Sequence, residues 1–135
     1  GFIGSPQMNF LNAACKVEGQ RVTLTVGGYQ IELPQAKAKK LIDGGYNGKE
    51  VILGIRPEDV SEAGAGRSGA QVQAEVNVYE LLGAEVYLYC DLCGNSMTAR
   101  VSSSTTAKTG ETREFVLDVE KIHVFDKETE LAITN

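Results

Sequence analysis

Alternation of apolar and polar residues with a period of two, cut at short intervals by glycine, most constrains what this chain can fold into. Val22, Leu24 and Val26 alternate with Thr23 and Thr25, Gly27-Gly28 interrupts, and Tyr29, Ile31 and Leu33 resume the pattern. Two such runs separated by a glycine pair predict a hairpin with a primed turn, because glycine reaches positive φ at no steric cost. Val72, Ala74, Val76 and Val78 then alternate with Gln71, Gln73, Glu75 and Asn77. In Glu85 to Asp91, Val86, Leu88 and Cys90 share one face and Tyr87 and Tyr89 the other, and Gly94-Asn95 offers a turn before Met97 to Val101. The runs 51–55, 113–119, 121–125 and 130–133 are further short strands. Gaps this short, punctuated by glycine, indicate an antiparallel barrel or sandwich rather than βαβ units.

The spacing predicts one helix, over Gln35 to Asp43, with Pro34 at its start and Gly44-Gly45 at its end. Lys37, Lys39 and Lys40 read as its solvated face. The stretches Ser61 to Gly69 and Ser102 to Gly110, rich in small and hydroxyl residues, read as mobile loops. Pro57 turns the chain after the buried run Val51 to Ile55, Glu58 and Asp59 suit a first helical turn, and Arg56 is expected to brace the corner through a charge pair.

Composition narrows the function. The 135 residues are enough for one domain with a single core, and no segment breaks the chain into two. Thirteen basic against eighteen acidic residues give a net charge of −5, which disfavours phosphate backbones and anionic membranes. Three cysteines are too few and too odd a number for a stapled scaffold, and point to a reducing cytoplasm. The chain opens at Gly1 without methionine and is expected to be a piece of something longer.

The motifs that carry chemistry elsewhere fail here for want of context. Gly64-Ala65-Gly66-Arg67-Ser68-Gly69 spells a dinucleotide fingerprint, yet alternating Val72, Ala74 and Val76 follow it where a helix is required. Gly48-Lys49 lacks the Ser or Thr that would hold Mg²⁺, having Glu50 instead, and Asp43 occupies the glycine position five residues earlier. Cys90-Asp91-Leu92-Cys93 is a lone C-x-x-C without a second pair to complete a zinc site, and its thiols read as structural. His123 is the single histidine and reads as an exposed strand residue, facing opposite to Ile122 and Val124. No catalytic residue, cofactor site or metal site is assigned.

Four segments, in order, resemble the C-terminal regulatory domain of ATP-binding subunits from sugar-import ABC transporters. They are Gly1 to Leu11 (GFIGSPQMNFL), Leu53 to Asp59 (LGIRPED), Glu80 to Tyr89 (ELLGAEVYLY) and Lys121 to Asp126 (KIHVFD). The resemblance covers nearly the whole chain; the family includes maltose, glycerol-3-phosphate and multiple-sugar importers. It implies an all-β fold with one short helix, an OB-like antiparallel barrel of the transport-associated OB (TOBE) type, as a single domain over residues 1–135. It also implies that the nucleotide-binding domain, with its ATP and Mg, lies in the parent subunit and outside this chain. The implied role is non-catalytic regulation and homodimerisation at the inner face of a bacterial membrane, alongside membrane subunits and, in some members, a regulatory protein.

Candidate dimer or partner contacts are Phe10, a large apolar group near the domain edge, and Gly48 and Gly54, which permit close backbone approach. Simple core and turn roles for the three stay open beside that reading. Two other functions also stay open. An OB-type module could bind single-stranded nucleic acid, for which Tyr87 and Tyr89 are the stacking candidates, although Glu85 and Asp91 flank them. It could instead hold a small oxyanion near Ser102 to Thr106.

Overall fold

A computed structural model describes residues 7–135. Eleven strands and one helix follow in order: β1 (Asn9–Glu18), β2 (Arg21–Val26), β3 (Tyr29–Glu32), α1 (Gln35–Asp43), β4 (Glu50–Ile55), β5 (Val60–Glu62), β6 (Ala70–Leu82), β7 (Glu85–Leu92), β8 (Asn95–Ser102), β9 (Thr112–Leu117), β10 (His123–Asp126) and β11 (Ala132–Thr134). They form two antiparallel sheets, ordered β11-β10-β4-β1-β2-β3 and β5-β9-β6-β7-β8. Leu11, Leu24, Leu53, Leu88, Phe115 and Ile122 are fully buried between them in one continuous core. The segment Gly1 to Pro6, which opens the family resemblance, lies outside the described residues.

The β2–β3 hairpin turns through Gly27-Gly28 as its pattern predicts, with Val26 opposite Tyr29. Only Gly27 takes positive φ, at 57°, the signature of a II′ turn with glycine first. The β7–β8 turn differs from expectation by one residue. Cys93 (φ 50°) and Gly94 (φ 87°) are its central pair, and Asn95 already pairs with Leu92 as the first residue of β8. Both central residues at positive φ is the I′ pattern, which matches the right-handed twist of the strands. The two turns touch, because a methyl group placed on Gly27 would fall 2.4 Å from Cys93 Sγ.

Several expectations need correction. β1, absent from the sequence reading, is an interior strand of its sheet, flanked by β2 and β4. Lys37 is buried rather than solvated. Its Nζ donates to the Asn135 carbonyl at 2.5 Å, and burial lowers its pKa. Arg56 is exposed and makes no ion pair among the described residues. Backbone bonds hold that corner instead, from Asp59 N to Arg56 O at 2.9 Å and from Asp118 N to Asp59 O at 3.1 Å. Ser61 and Glu62 belong to a strand paired with β9, not to a loop. The connection from β8 to β9 is tied down by the Thr105 hydroxyl on Glu62 (2.8 Å), by Lys108 N on Glu111 (2.8 Å) and by burial of Ala107. Arg113 to Val119 and Lys121 to Phe125 were expected as strands, but β9 ends at Leu117 and a single 3-10 turn, Val119–Lys121, separates it from β10.

Candidate interaction surface

Register within the first sheet decides which candidate residues meet. Gly54 on β4 is opposite both Phe10 on β1 and His123 on β10, and the next row joins Asn12, Ile52 and Phe125. The outer face of the sheet therefore carries Phe10 and Phe125 side by side, their rings edge to face at 5.8 Å. Phe10 is 59% exposed, so it does not belong to the core. With Ile52 and Glu130 the two rings line a shallow cleft of about 490 Å³.

Gly54 does allow close approach, but the approaching groups belong to the same chain. A Cβ there would meet Met8 Sδ and Phe125 Cε2, each at 2.7 Å. Gly48 lies elsewhere. Its φ of 80° serves the turn after α1, and its N–H donates to the Cys15 carbonyl at 2.9 Å. Cys15 is five residues along β1 from Phe10, or ~17 Å at the rise of a strand. The structure brings Phe10 and Gly54 together and leaves Gly48 at the other end of the sheet.

His123 is half-buried, stacked on Phe125 with its Nδ1 3.4 Å from the Asn135 side-chain oxygen. The proposed stacking aromatics are differently placed from their sequence reading. Tyr87 is buried at 6% exposure, and the Tyr89 hydroxyl donates to Glu80 at 2.7 Å; burial first, then that hydrogen bond, pushes the Tyr89 pKa up to about 12. Cys15 and Cys90 are buried and Cys93 is exposed; burial raises both buried thiols, Cys90 to about 12. Among the described residues no cluster of His, Cys, Asp or Glu could hold a metal ion.

A second cleft, of about 420 Å³, gathers Arg67, Arg100 and Arg113 with the hydroxyls of Ser102, Ser104 and Thr105. Each guanidinium already has an acid: Asp118 at 4.0 Å, Glu85 at 3.0 Å and Glu62 at 3.6 Å respectively. Arg113 also pairs with Glu111 at 3.3 Å, so an incoming anion would compete with four carboxylates for three guanidinium groups.

Sequence reasoning did not single out the far end of β6 as a strand. Asn77 to Glu85 are exposed throughout, including Val78, Tyr79, Leu81 and Leu82. The available signal was the apolar run Val-Tyr-Glu-Leu-Leu ahead of Gly83.

Comparison with known proteins agrees with this architecture. Residues 4–60 match the MalK OB fold domain and residues 53–125 the TOBE domain. The oligosaccharides import ATP-binding protein MsmX of Bacillus subtilis is 36% identical over 98% of this chain and 36% of its own length. The multiple sugar-binding transport ATP-binding protein MsmK of Streptococcus mutans is 40% identical over 98% of this chain and 35% of its own. The trehalose/maltose import ATP-binding protein MalK of Thermococcus litoralis is 36% identical over the same 98% and 36% of its length. The chain thus spans about a third of the length of these curated relatives. The molybdate-binding protein ModG superposes with a TM-score of 0.61 at 16% identity, covering 90% of this chain and 96% of that one, a likeness of fold. Two overlapping family matches across strands that interleave in the same two sheets have one meaning: the chain belongs to the TOBE-domain family, with a MalK-type OB fold in its first half.

Proposed function

We propose that the chain is the non-catalytic regulatory and dimerisation domain of the ATP-binding subunit of an ABC importer for sugars or sugar phosphates. The observation that carries this reading is continuity: 98% of the chain aligns with each of three sugar-transport ATP-binding proteins. In this reading ATP and Mg bind in a nucleotide-binding domain of the parent subunit. The domain works at the cytoplasmic face of the membrane, beside the transporter's membrane subunits. No helix among the described residues is long and apolar enough to cross a membrane. A lasting contact between regulatory domains lets the nucleotide domains separate and close again without losing each other, since tethering raises effective concentration.

The test is sedimentation equilibrium over a concentration series. The expected result is a monomer–dimer equilibrium with Kd between roughly micromolar and millimolar, or about 4 to 8 kcal/mol. A strict monomer at millimolar concentration would overturn the dimerisation role.

A second reading, capture of a small oxyanion, rests on the cleft of Arg67, Arg100 and Arg113. A thermal-shift screen with molybdate, sulfate and phosphate tests it, and a saturable rise in midpoint would favour it. The same screen with single-stranded oligonucleotides is expected to give no shift, because the net charge is −5 and Tyr87 is buried.

A further inference from the structure

Six large apolar side chains are exposed among the described residues, and four of them fall within five consecutive positions. Val78, Tyr79, Leu81 and Leu82 are 50, 40, 57 and 44% exposed. They occupy the end of β6 that outruns its neighbour. β9 pairs with β6 only from Ala70 to Glu75, and the last backbone bonds on that side are Val76 N to Glu111 O at 2.8 Å and Gly110 N to Val76 O at 2.7 Å. From Val78 to Leu82 β6 pairs with β7 alone, and no other described strand lies along that edge.

Leu82 and Glu85 close a two-residue turn, so ladder alternation directs the N–H and C=O groups of Tyr79 and Leu81 away from β7. Cross-strand partners share a face, which puts Tyr79 and Leu81 on the side of Leu88 and Val86, both fully buried. The core face of this sheet continues past β9, where, among the described residues, the loop from Thr105 to Thr109 borders Tyr79 and no strand covers Leu81.

The remaining edges are blunted. β3, β5 and β11 are three or four residues long. The β8 edge is plugged by a side chain, since Asn9 Nδ2 donates to the Thr98 carbonyl and Asn9 Oδ1 accepts from Thr98 N, both at 2.8 Å. Long, apolar, unprotected edges are rare because they invite another strand.

We propose that this edge of β6 is where a second copy of the chain docks, the two β6 strands running antiparallel across a two-fold axis. The proposal rests on the dimerisation reading above and assigns it a surface distinct from the Phe10 face. An open edge is satisfied by another strand, and a two-fold operation brings an identical set of outward donors and acceptors to meet it. Glu80 is the one charge from Val78 to Leu82. Its carboxylate is held by Tyr89 on the other face of the hairpin, away from Tyr79 and Leu81.

Sedimentation equilibrium on the wild-type chain, Leu81→Lys and Phe10→Ala tests this, together with amide exchange at low and high concentration. Leu81→Lys is expected to weaken self-association by at least about tenfold at an unchanged thermal midpoint, because an edge lysine blocks strand pairing. Phe10→Ala is expected to leave the association unaltered, and the amides of Tyr79 and Leu81 to exchange more slowly as concentration rises. If Leu81→Lys lowers the thermal midpoint, Leu81→Thr repeats the comparison, and exchange on the wild type needs no variant. A wild type that dimerises with Tyr79 and Leu81 exchanging at one rate throughout would overturn the β6 contact and leave the dimer reading standing. A wild type monomeric at millimolar concentration would overturn both.

Discussion

Cys93 and Gly27 show how a single contact can be read in both directions. The Cys93 side chain lies over the space that Gly27 leaves by having no Cβ, and Gly27 holds φ at 57°. Gly27→Ala therefore meets both a collision and a strained backbone, and is expected to cost about 1 to 3 kcal/mol in denaturant unfolding. Cys93→Ser keeps the shape of an exposed turn residue and is expected to stay within ~1 kcal/mol of wild type in the same measurement. The other two thiols are buried and held protonated by desolvation, Cys90 with a pKa of about 12. A maleimide at neutral pH is accordingly expected to label one thiol of the native protein, Cys93, and all three after unfolding. Asp126 is the residue with the clearest pH signature. Its Oδ1 accepts from Glu128 N at 2.9 Å and Thr129 N at 2.8 Å, and its Oδ2 from the Tyr46 hydroxyl at 2.7 Å. The Thr129 amide first, then Tyr46, lower its pKa to about 2. The folded value lies below the unfolded one, so this stabilisation is complete above the unfolded pKa and is lost as pH falls towards 2. Asp126→Asn is expected to flatten the dependence of stability on pH between about 4 and 2, read by denaturant titration at each pH.

At the scale of the element, legibility followed how far period two survived. β2, β3 and β7 keep strict alternation with Val, Leu, Ile and Tyr, and α1 keeps its limits from Pro34 to Gly44; these were legible in the sequence. β1 was not, because its inward positions are Asn9, Leu11, Ala13, Cys15 and Val17, a set with one polar and two small members that scores poorly as a strand. The far half of β6 was hidden for another reason. The register slips between Val76 and Val78, so Asn77 is an extra residue and the inward parity passes to Tyr79 and Leu81. Phe10, Gly48 and Gly54 stood out in the sequence as one bulky and two bare residues, but only register shows that Phe10 and Gly54 share a row and Gly48 lies apart. Asn9 explains why a polar residue belongs in the buried row. Its amide supplies Thr98 with the donor and the acceptor that a neighbouring strand would supply. Asn9→Ala strips both, leaves a buried N–H and C=O without partners, and is expected to cost about 2 to 4 kcal/mol in denaturant unfolding, with faster amide exchange at Thr98.

For the whole molecule, the decisive question is whether any part of it can take a nucleotide. A phosphate-binding loop needs backbone N–H groups aimed at an empty nest, a lysine reaching into it and a hydroxyl for Mg²⁺. At Gly48-Lys49-Glu50 the groups are already spent on the fold. Gly48 N donates to Cys15 O, Lys49 N to Tyr46 O, and the Lys49 ammonium lies 5.7 Å from the centre of the Tyr46 ring. Glu50 begins β4 and accepts from Lys127 at 2.9 Å, so a carboxylate stands where the metal-binding hydroxyl belongs. The glycine-rich run from Gly64 to Gly69 leads into β6, a strand, and offers no helix N-terminus to a pyrophosphate. Gly69 is closed off besides, since a Cβ there would meet the Leu117 carbonyl at 2.0 Å. Across the chain the net charge of −5 adds a repulsion that local contacts would have to overcome. Calorimetric titration of the chain with Mg-ATP is therefore expected to show no heat of binding at millimolar nucleotide. A Kd in the micromolar range, about 8 kcal/mol of favourable free energy, would require a site that neither loop can build and would return catalysis to this domain.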